Sequence, residues 1–255
     1  MNLLYLAAIV FIITTVIYTC FSALSNKIGI YRITNDNKKI AKFAGGVLTF
    51  SFIISALLMY FEGQYFNIEL TSKSVVELSI CLAILFGLGY YFDNTQLVGK
   101  KKIIREALVF VLLSLVTLNT NLVSITFFSE GTNFVLTYAA NLLIEIAWYL
   151  IIVNGMNVLR KIDKLVSGIS FITSLSFFLL SLLLGNSEFT CYALILCTIS
   201  LFLTLFNVHV NNIIGLSFGF ILAYLGLNYL TAGPTLIITA IVSLSMPIFN
   251  LIYVI

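Results

Sequence analysis

The residues best suited to chemistry gather in one short stretch, Asn154-Gly-Met-Asn157-Val-Leu-Arg160-Lys161-Ile-Asp163-Lys164. Two amides three residues apart share one helical face if a helix persists. Three cations beside a single carboxylate suit an anionic partner, either a phosphate or lipid headgroups. Asp93 offers a second carboxylate, in Gly89-Tyr-Tyr-Phe92-Asp93-Asn94. A carboxylate at a membrane mouth can hold Mg2+, which takes oxygen ligands and bridges phosphates. Its bland counterpart is an interfacial acid beside Lys100, Lys101 and Lys102. Lys39 and Lys42 precede the pair Gly45-Gly46, an arrangement that either receives a phosphate or anchors the chain on anionic lipid. Asn211 and Asn212 open a further polar stretch, beside His209, the one histidine. With no carboxylate or cysteine near it, His209 is not read as a metal ligand.

The elements that position these residues follow from composition. Hydrophobic residues make up 61% of the 255, and charged residues only 9%, against about 25% in soluble domains. This excludes a soluble enzyme and points to a polytopic membrane protein. A span needs about 20 apolar residues. That ruler predicts a single all-α integral membrane domain, 1–255, with about nine spans: 3–25, 43–61, 76–92, 103–120, 133–153, 165–185, 189–206, 213–230 and 235–254. The N-terminal run lacks the basic start and short apolar core of a leader, so it reads as a first spanning helix. No internal repeat and no soluble linker interrupts the series.

The basic residues test the map independently. Twelve of the thirteen fall in the connections at 26–42, 93–105 and 154–164, and Lys73 alone falls elsewhere. Short basic loops stay cytoplasmic. The expected topology therefore has the N-terminus outside, the C-terminus cytoplasmic and every candidate site loop on the cytoplasmic face of the cell membrane. Cys20, Cys81, Cys191 and Cys197 all lie in apolar runs without a CxxC or CxxH neighbour, and read as packing residues. Glu145 lies inside the fifth span, with Asn141 one turn before it and Trp148 three residues after it. A carboxylate there is costly and marks a functional candidate.

Taken in order, the four polar connections resemble the polyprenyl-phosphate N-acetylaminosugar-1-phosphate transferases of glycosyltransferase family 4. The family's third loop, N-x-x-N-x-x-D-G-x-D-G-L, is met in register by Asn154, Asn157, Asp163 and Leu165. Its G-x-x-D-D is met by Gly89 and Phe92-Asp93-Asn94, and its first-loop pattern by Gly29 to Arg32, Asn37-Lys38-Lys39 and Gly45-Gly46. Its G-D-x-G-S and following L-G-F are similar to Asn211 to Gly215 and Phe218-Gly219-Phe220. Its P-I-F-D is similar to Pro247-Ile248-Phe249-Asn250.

The resemblance implies transfer of a sugar phosphate from a UDP-N-acetylaminosugar to polyprenyl phosphate, with Mg2+ held by several aspartates, as a step toward cell-envelope polysaccharide or peptidoglycan. It implies Asp93 as metal ligand and catalytic residue, and Asp163 as a second catalytic carboxylate. Asn154, Asn157, Arg160 and Asn212 would meet the nucleotide sugar, and Lys39 and Lys42 would meet phosphate. The departures bear on chemistry. Arg160 stands where the family pattern has Asp, Lys161 and Lys164 where it has Gly, and Asn212 and Asn250 where it has Asp. The sequence also stops at Ile255, ahead of the family's last cytoplasmic loop. The expectation is a degenerate, C-terminally shortened homologue that binds lipid phosphate or a nucleotide sugar without competent metal chemistry, and so needs no cofactor. An active transferase with a reduced Mg2+ site is the first alternative. A small transporter built around Glu145 is the second. Membrane lipid is the expected partner in each case. Spans this apolar allow a homodimer, and nothing suits nucleic acid.

Overall fold

The computed structural model describes residues 3–28, 31–33, 39–41, 44–63, 70–94, 134–159, 165–206, 208, 212–231 and 245. Seven helices account for most of them: α1 Leu3–Ile28, α2 Ala44–Phe61, α3 Ser72–Asn94, α4 Phe134–Leu159, α5 Leu165–Leu184, α6 Ser187–Leu205 and α7 Asn212–Thr231. Each falls on an apolar run expected to span. Leu3–Ser25, Ser72–Tyr91, Leu165–Leu184 and Ser187–Leu205 are long and apolar enough to cross a bilayer. Gly45–Phe61, Glu145–Leu159 and Ile213–Leu227 are shorter apolar stretches. The protein is a helical membrane protein. The expected spans 103–120 and 235–254 lie outside the described residues.

Helix is the required answer for such sequences, because every backbone polar group in lipid must be satisfied within its own segment. Side-chain hydroxyls follow the same rule by bonding back to the preceding turn. Thr14 Oγ1 donates to the Val10 carbonyl at 2.7 Å, Thr15 to Phe11 at 2.8 Å, and Thr198 to Leu194 at 2.8 Å.

The centre of the bundle is α7, whose residues from Ile213 to Leu227 are all buried. It packs along α4 and also meets α3, α2 and α5. Next most enclosed is α6, buried throughout from Thr190 to Ser200. It forms a tight hairpin with α5. Leu184 is followed by Gly185 in the left-handed conformation, φ 69°. The Gly185 N–H reaches the Leu182 carbonyl at 3.3 Å, and the Asn186 N–H reaches that of Ser181 at 3.2 Å. This paired closure of a helix end needs φ > 0 at one residue, which glycine adopts without a Cβ penalty. Asn186 then starts α6, its side-chain oxygen accepting from the Phe189 N–H at 3.2 Å. On the periphery lies α1, with Leu4 84% and Ile12 61% exposed.

Two details differ from the sequence expectation. The first connection contains a two-stranded antiparallel ribbon, β1 Tyr31–Ile33 and β2 Lys39–Ala41, in which Arg32 pairs with Ile40, so among the described residues the regular structure is helical but for this ribbon. The third connection starts later than expected: α4 runs through Asn154 and Asn157 and ends at Leu159. A ruler of apolar residues stops at the first amide, whereas the hydrogen-bond ladder of a helix does not.

Candidate functional site

Three helix ends meet at one end of the bundle, and two glycines bring them together. A Cβ built on Gly89, near the end of α3, would lie 2.7 Å from the Ile213 Cα and 3.0 Å from its backbone nitrogen. The penultimate turn of α3 therefore rests directly on the first turn of α7. A Cβ on Gly219 would lie 2.7 Å from the Val153 Cα and 3.3 Å from the Met156 Cβ. That contact docks α7 on the final turns of α4. Further along the same seam, Tyr149 stacks on Phe220 with ring centroids 5.3 Å apart and an interplanar angle of 16°. The Trp148 indole donates to the Ala223 carbonyl at 3.0 Å. The order of these contacts makes α4 and α7 antiparallel neighbours. Trp148→Phe keeps the ring and removes the donor. It is expected to lower stability by about 1 kcal/mol, read by unfolding followed with circular dichroism.

These contacts place the candidate residues as follows. Asp93 lies in the last turn of α3, four residues beyond Gly89, and Asn212 is the first residue of α7. Asn154 and Asn157 lie in the last two turns of α4. Asn157 is buried, and Asn154 is half-buried with its amide donating to the Leu150 carbonyl at 2.9 Å. Asp93, Asn154, Asn157 and Asn212 are thus carried on three helix ends that share one end of the bundle. Lys39 begins β2, paired with Ile33, and β2 lies against α1. Lys42, Arg160, Asp163 and His209 lie outside the described residues.

The electrostatics of the helix ends are mixed. The first N–H groups of α7 lack intrahelical partners, as do the last carbonyls of α3 and α4. A carboxylate in the last turn of its own helix is disfavoured by that helix's dipole. The chemistry of the donors is one carboxylate with three amides. Mg2+ bound by protein relies on carboxylates together with substrate phosphates, and among the described residues no three His, Cys, Asp or Glu side chains gather. Asp93 is thus the one carboxylate on these three ends among the described residues, and Asp163, the second carboxylate expected at the site, lies outside them.

Other residues singled out by sequence have packing roles. Gly46 is covered by the Phe21 ring, 2.8 Å from a built Cβ, and by Phe86 at 3.2 Å. Phe21, Phe50 and Phe86 form a chain of rings with centroids 5.6 and 5.3 Å apart. The second glycine of the pair therefore accepts aromatic rings from α1 and α3. Cys81, Cys191 and Cys197 are buried free thiols, as expected of packing residues, while Cys20 is exposed on α1. Glu145 is buried within unbroken helix, some 18 Å along α4 from Asn157 at 1.5 Å per residue.

A second polar group went unnoticed in the sequence. It lies at the opposite end of α3, about 28 Å along the helix axis from Asp93. Ser74 Oγ contacts both Glu188 Oε1 and the Tyr192 hydroxyl, the latter at 2.9 Å. The Thr71 hydroxyl lies 3.2 Å from the same Glu188 oxygen and caps α3 by accepting from the Ser74 N–H at 3.3 Å. One turn on, Glu77 is buried, and its Oε2 has no hydrogen-bond partner. The sequence signals were the Thr71-Ser-Lys-Ser74 and Asn186-Ser-Glu188 starts, both typical of helix N-termini. Their pairing across 114 residues depends on which helices are neighbours.

A family model described as Glycosyl transferase family 4 matches residues 75–229, from the first turn of α3 to near the end of α7. No curated protein matches the chain.

Proposed function

The chain belongs to glycosyl transferase family 4, and from that premise we infer that it is a ligand-binding homologue of UDP-sugar:polyprenyl-phosphate sugar-1-phosphate transferases that lacks their metal chemistry. One observation carries the reading. The three helix ends bearing the family-like polar residues converge through Gly89 and Gly219, with Asn154 and Asn157 as in the family pattern, but Asp93 without a paired Asp and Asn212 where that pattern has Asp. In this reading the scaffold of a phosphate site is kept, while Arg160, Asn212 and Asn250 stand where the family pattern has Asp.

In this reading the site opens to the cytoplasm, because the basic connections flank it. The N-terminus is outside, nine spans cross the cell membrane, and the C-terminus is cytoplasmic. Asn154, Asn157 and Asn212 meet the uridine diphosphate of an N-acetylaminosugar nucleotide. Arg160, Lys39 and Lys42 supply positive charge toward phosphate. A polyprenyl phosphate enters from the bilayer. Cations hold phosphate oxygens as a metal would, but they leave the acceptor phosphate without the metal that would orient it. The transport alternative called for interrupted helices near the midplane. Glu145 instead sits in continuous helix from Phe134 to Leu159.

The test is thermal unfolding with UDP-N-acetylglucosamine, with and without Mg2+. A ligand at 100 times its Kd stabilises the folded state by about 2.7 kcal/mol. The expected result is stabilisation that is the same with and without Mg2+ and that survives Asp93→Asn. Sugar-phosphate transfer that requires Mg2+ and disappears in Asp93→Asn would sink the reading in favour of an active enzyme.

A further inference from the structure

The geometry points to Gly89 as a positioning residue that sets the distance between the penultimate turn of α3 and the first turn of α7, and through it the relation of Asp93 to Asn212. The atoms that a Cβ at Gly89 would meet are the Cα and backbone nitrogen of Ile213, besides its Cγ1. No rotamer change can move a Cα. Any side chain at this position must push the α7 backbone outward by several tenths of an ångström before ordinary contact is regained.

The displacement cannot spread evenly along α7. Gly219 against the Val153 Cα, the Tyr149–Phe220 stack and the Trp148–Ala223 hydrogen bond hold the rest of the helix on α4. The first turn must therefore tilt away from α3 while the remainder stays docked. Asn212 is the residue beside Ile213, and Asp93 lies one turn beyond Gly89, so the tilt acts where the two helix ends meet. Gly87, two residues earlier on α3, has nothing within 4 Å of a built Cβ. It is the internal control.

That this geometry matters to a ligand rests on the proposed nucleotide-sugar reading. That it fixes the helix ends does not. The two parts are tested separately in full-length detergent-solubilised Gly89→Ala and Gly87→Ala. Hydrogen exchange reports local opening without any ligand. Gly89→Ala is expected to speed exchange over 212–218 and leave 220–227 unchanged. Trp148 is the single tryptophan, and its emission is expected to stay as in the parent because the α4–α7 seam holds. Gly87→Ala should change neither. Unchanged exchange over 212–218, or exchange raised equally along all of α7, overturns the assignment.

In the second arm, UDP-N-acetylglucosamine affinity is expected to fall about tenfold, equivalent to 1.4 kcal/mol. Gly89→Ala and Asn212→Ala should combine non-additively, since one acts through the other. Additive losses would mean a general structural effect and overturn the link to ligand. If the parent itself takes no UDP-N-acetylglucosamine, the functional reading fails while the exchange result still decides the positioning role. Should Gly89→Ala not accumulate, Ile213→Ala removes the Cγ1 that rests on Gly89 while leaving the backbone contact, and the loosened packing is expected to raise exchange over the same 212–218 and not over 220–227.

Discussion

Phe202→Ala is expected to cost about 3–5 kcal/mol, in the range of buried aromatic truncations, and to loosen α1 from the bundle. Phe202 is fully buried on α6. Two rings of α1 close on it edge-to-face, Phe11 at 5.4 Å and 74° and Tyr18 at 5.6 Å and 67°. Phe206 stacks on Phe202 at 4.3 Å and also meets Phe11 and Tyr18, at 6.5 and 6.3 Å. Lipid tails are as apolar as these side chains, so helices in a bilayer are held by close packing rather than by escape from water. Apart from this cluster α1 is largely lipid-exposed and meets chiefly α2 and α6. Removing the central ring empties a cavity that Phe11 and Tyr18 cannot both fill. The measurement is the unfolding free energy in mixed micelles, with proteolysis of α1 as a local readout. Phe202→Leu, closer in volume, should lose only about 1.5 kcal/mol. An alanine variant within about 1 kcal/mol of the parent would show that the ring cluster does not hold α1.

Glu188→Ala is expected to lose about 2 kcal/mol, within the range for hydrogen bonds to a charged group. One carboxylate oxygen serves the Ser74 and Thr71 hydroxyls, and Ser74 also meets the Tyr192 hydroxyl. Truncation leaves the buried Ser74 hydroxyl and the exposed Thr71 hydroxyl without the carboxylate that joins them to α6, and so separates the start of α6 from the start of α3. Glu188 also lies in the first turn of its own helix, where a negative charge is favoured by the dipole. Glu188→Gln keeps an acceptor oxygen and loses the charge, so about half the effect should remain with it. Ser74→Ala combined with Glu188→Ala should be clearly non-additive. Strict additivity would mean that the two do not act on each other in solution.

Much of the fold was legible because membrane helices are written in long apolar runs. Seven of the expected spans coincide with helices. The ends were less legible, since α4 continues through Asn154 and Asn157 and α3 begins four residues before its apolar run. Neighbour relations were not legible at all. Helices such as α7 are apolar on every side, so their sequence names no face. The contacts of Gly89 with Ile213 and Gly219 with Val153 emerge only once the helices are packed. At the candidate site, the residue types were readable and their convergence was not. Asp93 and Asn212 are 119 positions apart, and although Gly89 and Gly219 were read as parts of family-like motifs, nothing in the sequence said which helix each would meet. The Ser74–Glu188–Tyr192 group was overlooked because Ser74 and Glu188 each look like the ordinary start of a helix.

The two-residue joint at Gly185-Asn186 has a consequence for how the chain enters the membrane. With no room between them, α5 and α6 cannot be threaded into the bilayer one after the other as independent spans. They form a hairpin that must go in as a pair. Both are of spanning length, so Leu165 and Leu205 finish at the same surface whichever way the pair is inserted. Moving or reversing basic residues near 160–164 could turn the pair over as a unit, but it could not flip one helix and leave the other. The sidedness of the segment after α4 is thereby bound to that of the segment before α7, through a turn at the far surface of the bilayer.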